Sequence, residues 1–368
     1  MLSWQSVNLR DGRVLEYLPD LYVKSVSQAI GAYTSASATL PVPTAPEGWE
    51  RATLPGAVAL VLTDDAQDGM GAVPLWGGMV SRRVRDLGDT VSLSLATLEA
   101  YFDRRFVGDV TYTATGQHTI VSGVVEDFVN DGTIDFRVAV AAAGVAMDRA
   151  YLDAEDKTVY SVLTELMGVD GGPEWVVTWE HQSDPERFTP VLTTADRIGS
   201  SPIAGLAPAA TLEAPGAVVA ASFAEDYAAG KGANDIMATS TATADVRPQS
   251  PRQASTDGER PTFEHRFAPS TSITNVATLT AHAQAALAQM ASGSRSLSLT
   301  AVWDDAPRLG RDWFIGDDIG YVLGGLDSAG VDTVPAFPGG LSGVARAWGW
   351  GIDLDEPVTI SPILVLED

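Results

Sequence analysis

Enzymatic chemistry needs a nucleophile, an acid–base pair or a metal held at fixed spacing, and this sequence offers those groups sparsely. The four histidines, His118, His181, His265 and His282, fall in no H-E-x-x-H or His-x-His spacing. They read as surface or hydrogen-bonded residues. There is no cysteine, which excludes disulfides and Cys-based zinc or iron–sulfur sites. Gly339-Gly340-Leu341-Ser342-Gly343 lacks the G-x-S-x-G spacing of a serine nucleophile elbow and reads as a loop. No phosphate-binding P-loop occurs. Gly230-Lys231-Gly232 begins like a dinucleotide turn but lacks the third glycine.

Paired carboxylates are the serious enzymatic alternative. Asp64/Asp65/Asp68, Asp304/Asp305 and Asp317/Asp318 are the candidates. A glycosidase sets its two carboxyls roughly 5–9.5 Å apart across a sugar-sized cleft. Adjacent strand residues point to opposite faces, so no doublet makes such a pair by itself. With 48 acidic residues, doublets also arise by chance. Asp64–Gly69 has part of a calcium loop, but Ala66 stands at position three and Leu75 where the bidentate Glu belongs. A solvated hairpin tip is the expectation there. No catalytic, cofactor-binding or metal residue is assigned, and no cofactor is expected.

Two groups suit contacts better than catalysis. Trp348 and Trp350 alternate with Gly349 and Gly351 and run on to Ile352 and Leu354. That pattern predicts a core-facing strand, with core or subunit contact favoured over a sugar platform. Arg247, Arg252 and Arg260 lie in a segment with Pro248, Pro251 and Pro261. Proline is excluded from strand and helix interiors. The stretch 243–261 therefore predicts a long exposed loop whose arginines could pair with a neighbouring acidic surface.

The elements that must position these residues follow from periodicity. With 368 residues the chain exceeds a single core, and its apolar content (45%) supports globular domains. Strands are expected at Val58–Leu62, Met79–Val84 and Thr90–Leu95, the last alternating Val91, Leu93 and Leu95 with serines. Helical stripes cover Ile120–Phe128 and Lys157–Met167, followed by a strand at Glu174–Trp179. Val218–Tyr227 and Asp235–Thr243 read as a strand pair. An Ala-rich helix is expected near Ile273–Ala291, then strands at Ser296–Trp303, Asp318–Leu323, Arg346–Leu354 and Val358–Leu366.

Charge narrows the partners. Twenty-three Lys+Arg against 48 Asp+Glu give −25. Such a surface repels nucleic acid and anionic membranes, so no specific nucleic-acid binding is expected. No apolar run reaches the ~18–20 residues of a membrane span, and the first residues lack a signal-peptide pattern. Synthesis in the cytoplasm without membrane insertion is expected.

Three stretches carry a resemblance. One runs from Leu75-Trp76-Gly77-Gly78-Met79-Val80 through Leu98-Glu99-Ala100-Tyr101-Phe102-Asp103-Arg104-Arg105 to Thr111-Tyr112-Thr113 and Gln117-His118-Thr119-Ile120-Val121. The second is Gly172-Pro173-Glu174-Trp175. The third is Leu309-Gly310-Arg311-Asp312-Trp313 with Ile315-Gly316-Asp317-Asp318-Ile319. Together with the order of elements, they make the chain resemble the minor tail or baseplate-hub proteins of siphophages infecting actinobacteria.

That resemblance implies an α+β, β-rich fold with two small antiparallel β-barrel modules and a helix-containing middle domain. The implied boundaries are 1–115 for the first barrel, completed by 216–243; 116–215 for an α/β middle domain; 244–262 for the exposed loop; and 263–368 for a helix plus the second barrel. It further implies a non-enzymatic homotrimeric hub ring in the virion tail tip, around the DNA path used in genome ejection. The implied partners are a distal tail ring protein, the tape measure protein and other tail-tip or fibre proteins. The chain stops soon after its last expected strand, so no appended receptor-binding or lytic domain is expected. A carbohydrate-binding tail protein and a cell-wall hydrolase are the rival readings.

Overall fold

The computed structural model describes the chain except residues 66–70, 131–133, 135, 141–143, 170, 203–206, 209, 241–246, 256–258, 270–272, 274 and 367–368. It divides into two compact units. One comprises Met1–Ala221 with Leu299–Asp368, and the other Ser222–Ser298.

The first unit begins with strands β1 (Leu2–Asn8), β2 (Val14–Tyr17), β3 (Tyr22–Val23), β4 (Ser25–Ala29) and β5 (Ser35–Pro41). A short helix α1 (Trp49–Ala52) precedes β6 (Val58–Asp64), β7 (Val73–Arg85) and β8 (Thr90–Thr97). Seven of these strands form one sheet in the order β2-β1-β6-β7-β8-β5-β3. The apolar run of β6 explains its central place. Every residue from Val58 to Asp64 is buried, because both faces of that strand are covered. β8 shows the alternation of a half-buried strand, with Val91, Leu93 and Leu95 inside. β4 leaves this sheet altogether and pairs with a strand more than three hundred residues later, Ile352 against Val26 and Gly349 against Ala29.

The helices come next. α2 (Glu99–Phe102) leads to β9 (Val110–Gly116), α3 (Gln117–Phe128), β10 (Arg137–Val140), β11 (Ala146–Tyr151), α4 (Val159–Met167), β12 (Glu174–Ser183) and β13 (Glu186–Ala195). α3 buries Ile120, Val121, Val124 and Val125, the stripe its periodicity predicts. Thr158 caps α4, its hydroxyl accepting from Ser161 N at 3.2 Å. Both helices pack on the sheet β10-β13-β12. Their core is continuous with the first sheet, because Val7, Ala59 and Val61 belong to the same buried cluster as Ile120, Leu163 and Trp175.

After β14 (Thr211–Ala214) and β15 (Val218–Asp226), the chain forms β16 (Asp235–Ala238), β17 (Gln253–Ala254), β18 (Glu264–Phe267) and α5 (Val276–Met290). It then returns through β19 (Ser294–Val302), β20 (Asp318–Leu323), β21 (Leu341–Asp353) and β22 (Thr359–Val365). The second large sheet runs β14-β20-β21-β22-β19-β15, with β4 added against β21. The second unit holds the sheet β17-β16-β18 and α5, packed around Ile236, Ala238, Leu279 and Ala283. Among the described residues, no helix is long and apolar enough to cross a membrane.

Two expectations change. β15 and β16 do not pair with each other: β15 lies beside β19, and β16 lies between β17 and β18. Neither joins the first sheet, so the described part of 216–243 does not complete it. The segment 243–261 is also more than a loop. Its described part carries β17, and Ser250 is tied to β16: its N donates to Ala238 O at 2.9 Å and its Oγ accepts from Ala238 N at 3.0 Å. Thr243 itself lies outside the described residues.

Candidate functional site

The densest polar chemistry lies inside the first unit, where the start of β12, the turn after β13, the loop before β20 and the middle of β21 meet. Arg346 of β21 donates from Nη1 to Glu174 Oε1 at 2.7 Å and from Nη2 to Glu174 Oε2 at 2.5 Å. Its remaining reach is used on backbone, with Nη2 donating to Ile198 O (2.8 Å) and Nε to Gly316 O (3.2 Å). Glu174 Oε2 also accepts from Ile198 N at 2.6 Å. Both side chains are almost wholly buried. A planar guanidinium matches a carboxylate bidentately, which is why arginine holds this place.

Beside it, Arg197 pairs with Asp318 at 2.5 Å, and Ser201 donates to the same carboxylate. Asp317 Oδ1 accepts from the amide and hydroxyl of Ser200 (2.6 and 2.9 Å), and its Oδ2 accepts from Phe314 N at 2.8 Å. The Asp317/Asp318 doublet is therefore divided between two structural tasks. Backbone packing closes the junction. Gly199 and Gly316 both have positive φ (84° and 89°). A Cβ on Gly199 would come within 2.0 Å of Gly316 C, and one on Gly316 within 2.3 Å of Ile198 O. Only glycine fits at both.

A cavity of about 710 Å³ opens against this network. Leu75, Trp179, Ile198, Leu309, Phe314 and Trp350 are among its walls. Trp179 reaches the first sheet because Gly77 leaves room: a Cβ there would lie 2.3 Å from Trp179 Nε1. Trp350 is buried. Trp348 is not on its face. A register shift between Ala347 and Gly349 breaks the alternation, and Trp348 is half-buried with the Arg346 guanidinium 5.0 Å from its ring centre.

The other sequence candidates fall apart in space or point inward. Asp64 is no solvated tip. It is fully buried at the end of β6 and lies 3.2 Å from the Met1 amine and 3.5 Å from Arg308. Asp65 is exposed, and Asp68 lies outside the described residues. Asp304 and Asp305 are exposed. In the second unit, Arg252 pairs with Asp235 (2.7 Å) and with Glu264. Arg260 lies 4.8 Å over the Tyr227 ring, and Arg247 is exposed.

One triad-like arrangement appears that sequence spacing does not reveal. His118 Nδ1 is 2.9 Å from Thr194 Oγ1, and its Nε2 is 2.9 Å from Asp196 Oδ1. The geometry inverts that of a hydrolase. Thr194 and His118 are fully buried, whereas the Asp196 side chain is 70% exposed. A nucleophile must face substrate and the orienting acid must lie behind the histidine, so this chain of hydrogen bonds ties α3 to β13 instead. Among the described residues, no cluster of three or more His, Asp or Glu could hold a metal ion.

No model of a known protein family matches the sequence, and no curated protein does. Solved structures match the fold. The 43 kDa tail protein of prophage MuSo2 from Shewanella oneidensis aligns with a TM-score of 0.56 at 12% identity, over 99% of this chain and 98% of that one. A tail protein from Neisseria meningitidis MC58 gives 0.53 at 14% identity, over 99% and 96%. The prophage tail protein gp18 from Listeria monocytogenes EGD-e gives 0.50 at 9% identity, over 98% and 94%. The chain has the fold of phage tail proteins. Residues from each of the three resembling stretches lie at or beside the junction. Gly77 admits Trp179, Glu174 holds Arg346, and Gly316 and Asp317 lock the turn after β13.

Proposed function

We propose that this chain is a non-enzymatic structural component of a bacteriophage tail tip, a hub subunit that works as one of three copies in a ring. The single observation behind this reading is the alignment over almost the whole of both chains with three prophage tail proteins. A shared domain inside an unrelated enzyme would leave much of one chain uncovered.

The finer part rests on the resemblance to siphophage hub proteins of actinobacterial hosts. Each subunit contributes two small β-barrel modules, built on the two seven-stranded sheets, so that three copies line a path for DNA during genome ejection. The ring links the tail tube to the tip and contacts a distal tail ring protein, the tape measure protein and tip or fibre proteins. A formal charge of −25 per copy suits a conduit that DNA must traverse without sticking. The buried ion pairs are read as joints that keep each subunit rigid, and the protein is assigned to the virion.

Imaging intact tails by electron microscopy, with this chain labelled, tests the proposal. Three copies around the tail axis are expected. Six identical copies, or one copy off the axis, contradict it.

A further inference from the structure

β12 is an edge strand of its sheet, yet its outer edge is closed by side chains and a turn. Gln28 Nε2 donates to Val177 O at 2.5 Å, and Gly31 N donates to Trp175 O at 2.8 Å. Val177 N donates to Glu99 Oε1 at 3.2 Å. One peptide unit region is thus gripped from the first part of the chain, and a carboxyl group supplies one jaw.

That carboxyl sits in an unusual place. Glu99 is fully buried, and its Oε2 makes no hydrogen bond among the described residues. The groups acting on it are Thr97, its own backbone and the Val177 amide, all neutral. β8 presents Thr97 and β12 presents Val177. α4 presents Tyr160, whose ring meets Tyr33 at 5.4 Å and Trp175 at 5.8 Å. The Glu99 charge acts on Tyr160 and Tyr33 lies beyond it, and neither tyrosine can supply a positive charge. An ionised carboxylate without a cation is costly in such a place.

We propose that Glu99 makes the attachment of β12 to α2 and the β4 segment proton-dependent: the edge is held while the carboxyl is neutral and loosens when it ionises. This device stands apart from the tail-tip assignment and acts in the isolated chain.

Burial pushes the Glu99 carboxyl up from 4.5 to about 7. For an acid raised in the folded state, the stabilisation is complete below its ordinary value and is lost as pH rises through the raised one. With those two values, opening of the β12 edge becomes ~30-fold more favourable between about pH 5.5 and 8.5.

Hydrogen exchange over residues 174–179, corrected for the intrinsic effect of pH, reads this directly in the full chain. The wild type is expected to lose protection by that factor across the range, while Glu99→Gln, which mimics the neutral acid, stays flat. β20 should change in neither protein. Equal pH dependence in both proteins, or none in the wild type, overturns the proposal. Should Glu99→Gln fail to fold, the carboxyl signal of wild-type Glu99 decides: titration near 7 supports the device, and titration near 4.5 refutes it.

Discussion

Arg346 and Glu174 lie 172 residues apart in sequence and form a bidentate ion pair that is almost completely buried. The arginine also donates to the backbone at Ile198 and Gly316. One side chain therefore joins β21, β12, the turn after β13 and the loop before β20. A buried pair of this kind adds little net stability over an apolar pair, but breaking it leaves a naked charge.

Replacing one partner should accordingly cost more than replacing both. Arg346→Ala or Glu174→Ala is expected to destabilise the first unit by ~3–5 kcal/mol. A double replacement, Arg346→Met with Glu174→Leu, should recover a large part of that loss. Denaturant unfolding of the three variants checks this. Additive losses would show that the pair is not coupled.

The glycine contact is stricter. Gly199→Ala and Gly316→Ala each place a Cβ against backbone that cannot rotate away, at a φ that disfavours any side chain. Each should lower stability by at least ~2 kcal/mol. By contrast, Gly56→Ala meets open space and carries only the backbone penalty of its φ of 71°, about 1 kcal/mol. Thermal melts of the three variants should rank in that order.

The two tryptophans of β21 should separate. Trp350 is buried beside the cavity, and Trp350→Ala should cost ~3–5 kcal/mol. Trp348 is half-buried and stacked by Arg346, so Trp348→Ala should cost about 1 kcal/mol or less. If Trp348 serves subunit contact, this variant folds but assembles poorly, which sedimentation or incorporation into tails would report.

On chemistry, the pure protein should leave host cell wall uncut in zymography. Thr194→Val should lower stability by ~1–3 kcal/mol, because His118 loses a buried partner, without altering any wall assay. Asp64, Asp304 and Asp317 substitutions should likewise leave such assays unchanged. Cleavage that disappears with Thr194→Val would show that the triad-like arrangement is catalytic.

Much of the local structure was legible. The two-residue alternation of Val91, Leu93 and Leu95 and the stripe Ile120, Val121, Val124 and Val125 depend only on neighbours in sequence, and both elements form where the pattern places them. Long-range pairing left no such trace. Nothing near Ser25–Ala29 signals a partner at Gly349–Asp353, and β15 carries no mark distinguishing β19 from β16. The bulge after Ala347 turned Trp348 away from the face its spacing predicted. The junction network left little trace. Arg346 stands in an otherwise uncharged run from Leu341 to Ile352, but nothing in its spacing names Glu174 as its partner. Glu99 gave no signal, since its burial depends on the folded surroundings of α2.

The reading proposed for this chain is a tail-tip subunit present in three copies. Cryo-electron microscopy of intact tails, with the chain traced through its density, tests it most directly. Three subunits related by a threefold axis around an open channel, with their sheets lining it, are expected. A subunit found in sixfold copies, bound singly on the outside of the tail, or absent from the particle would contradict it.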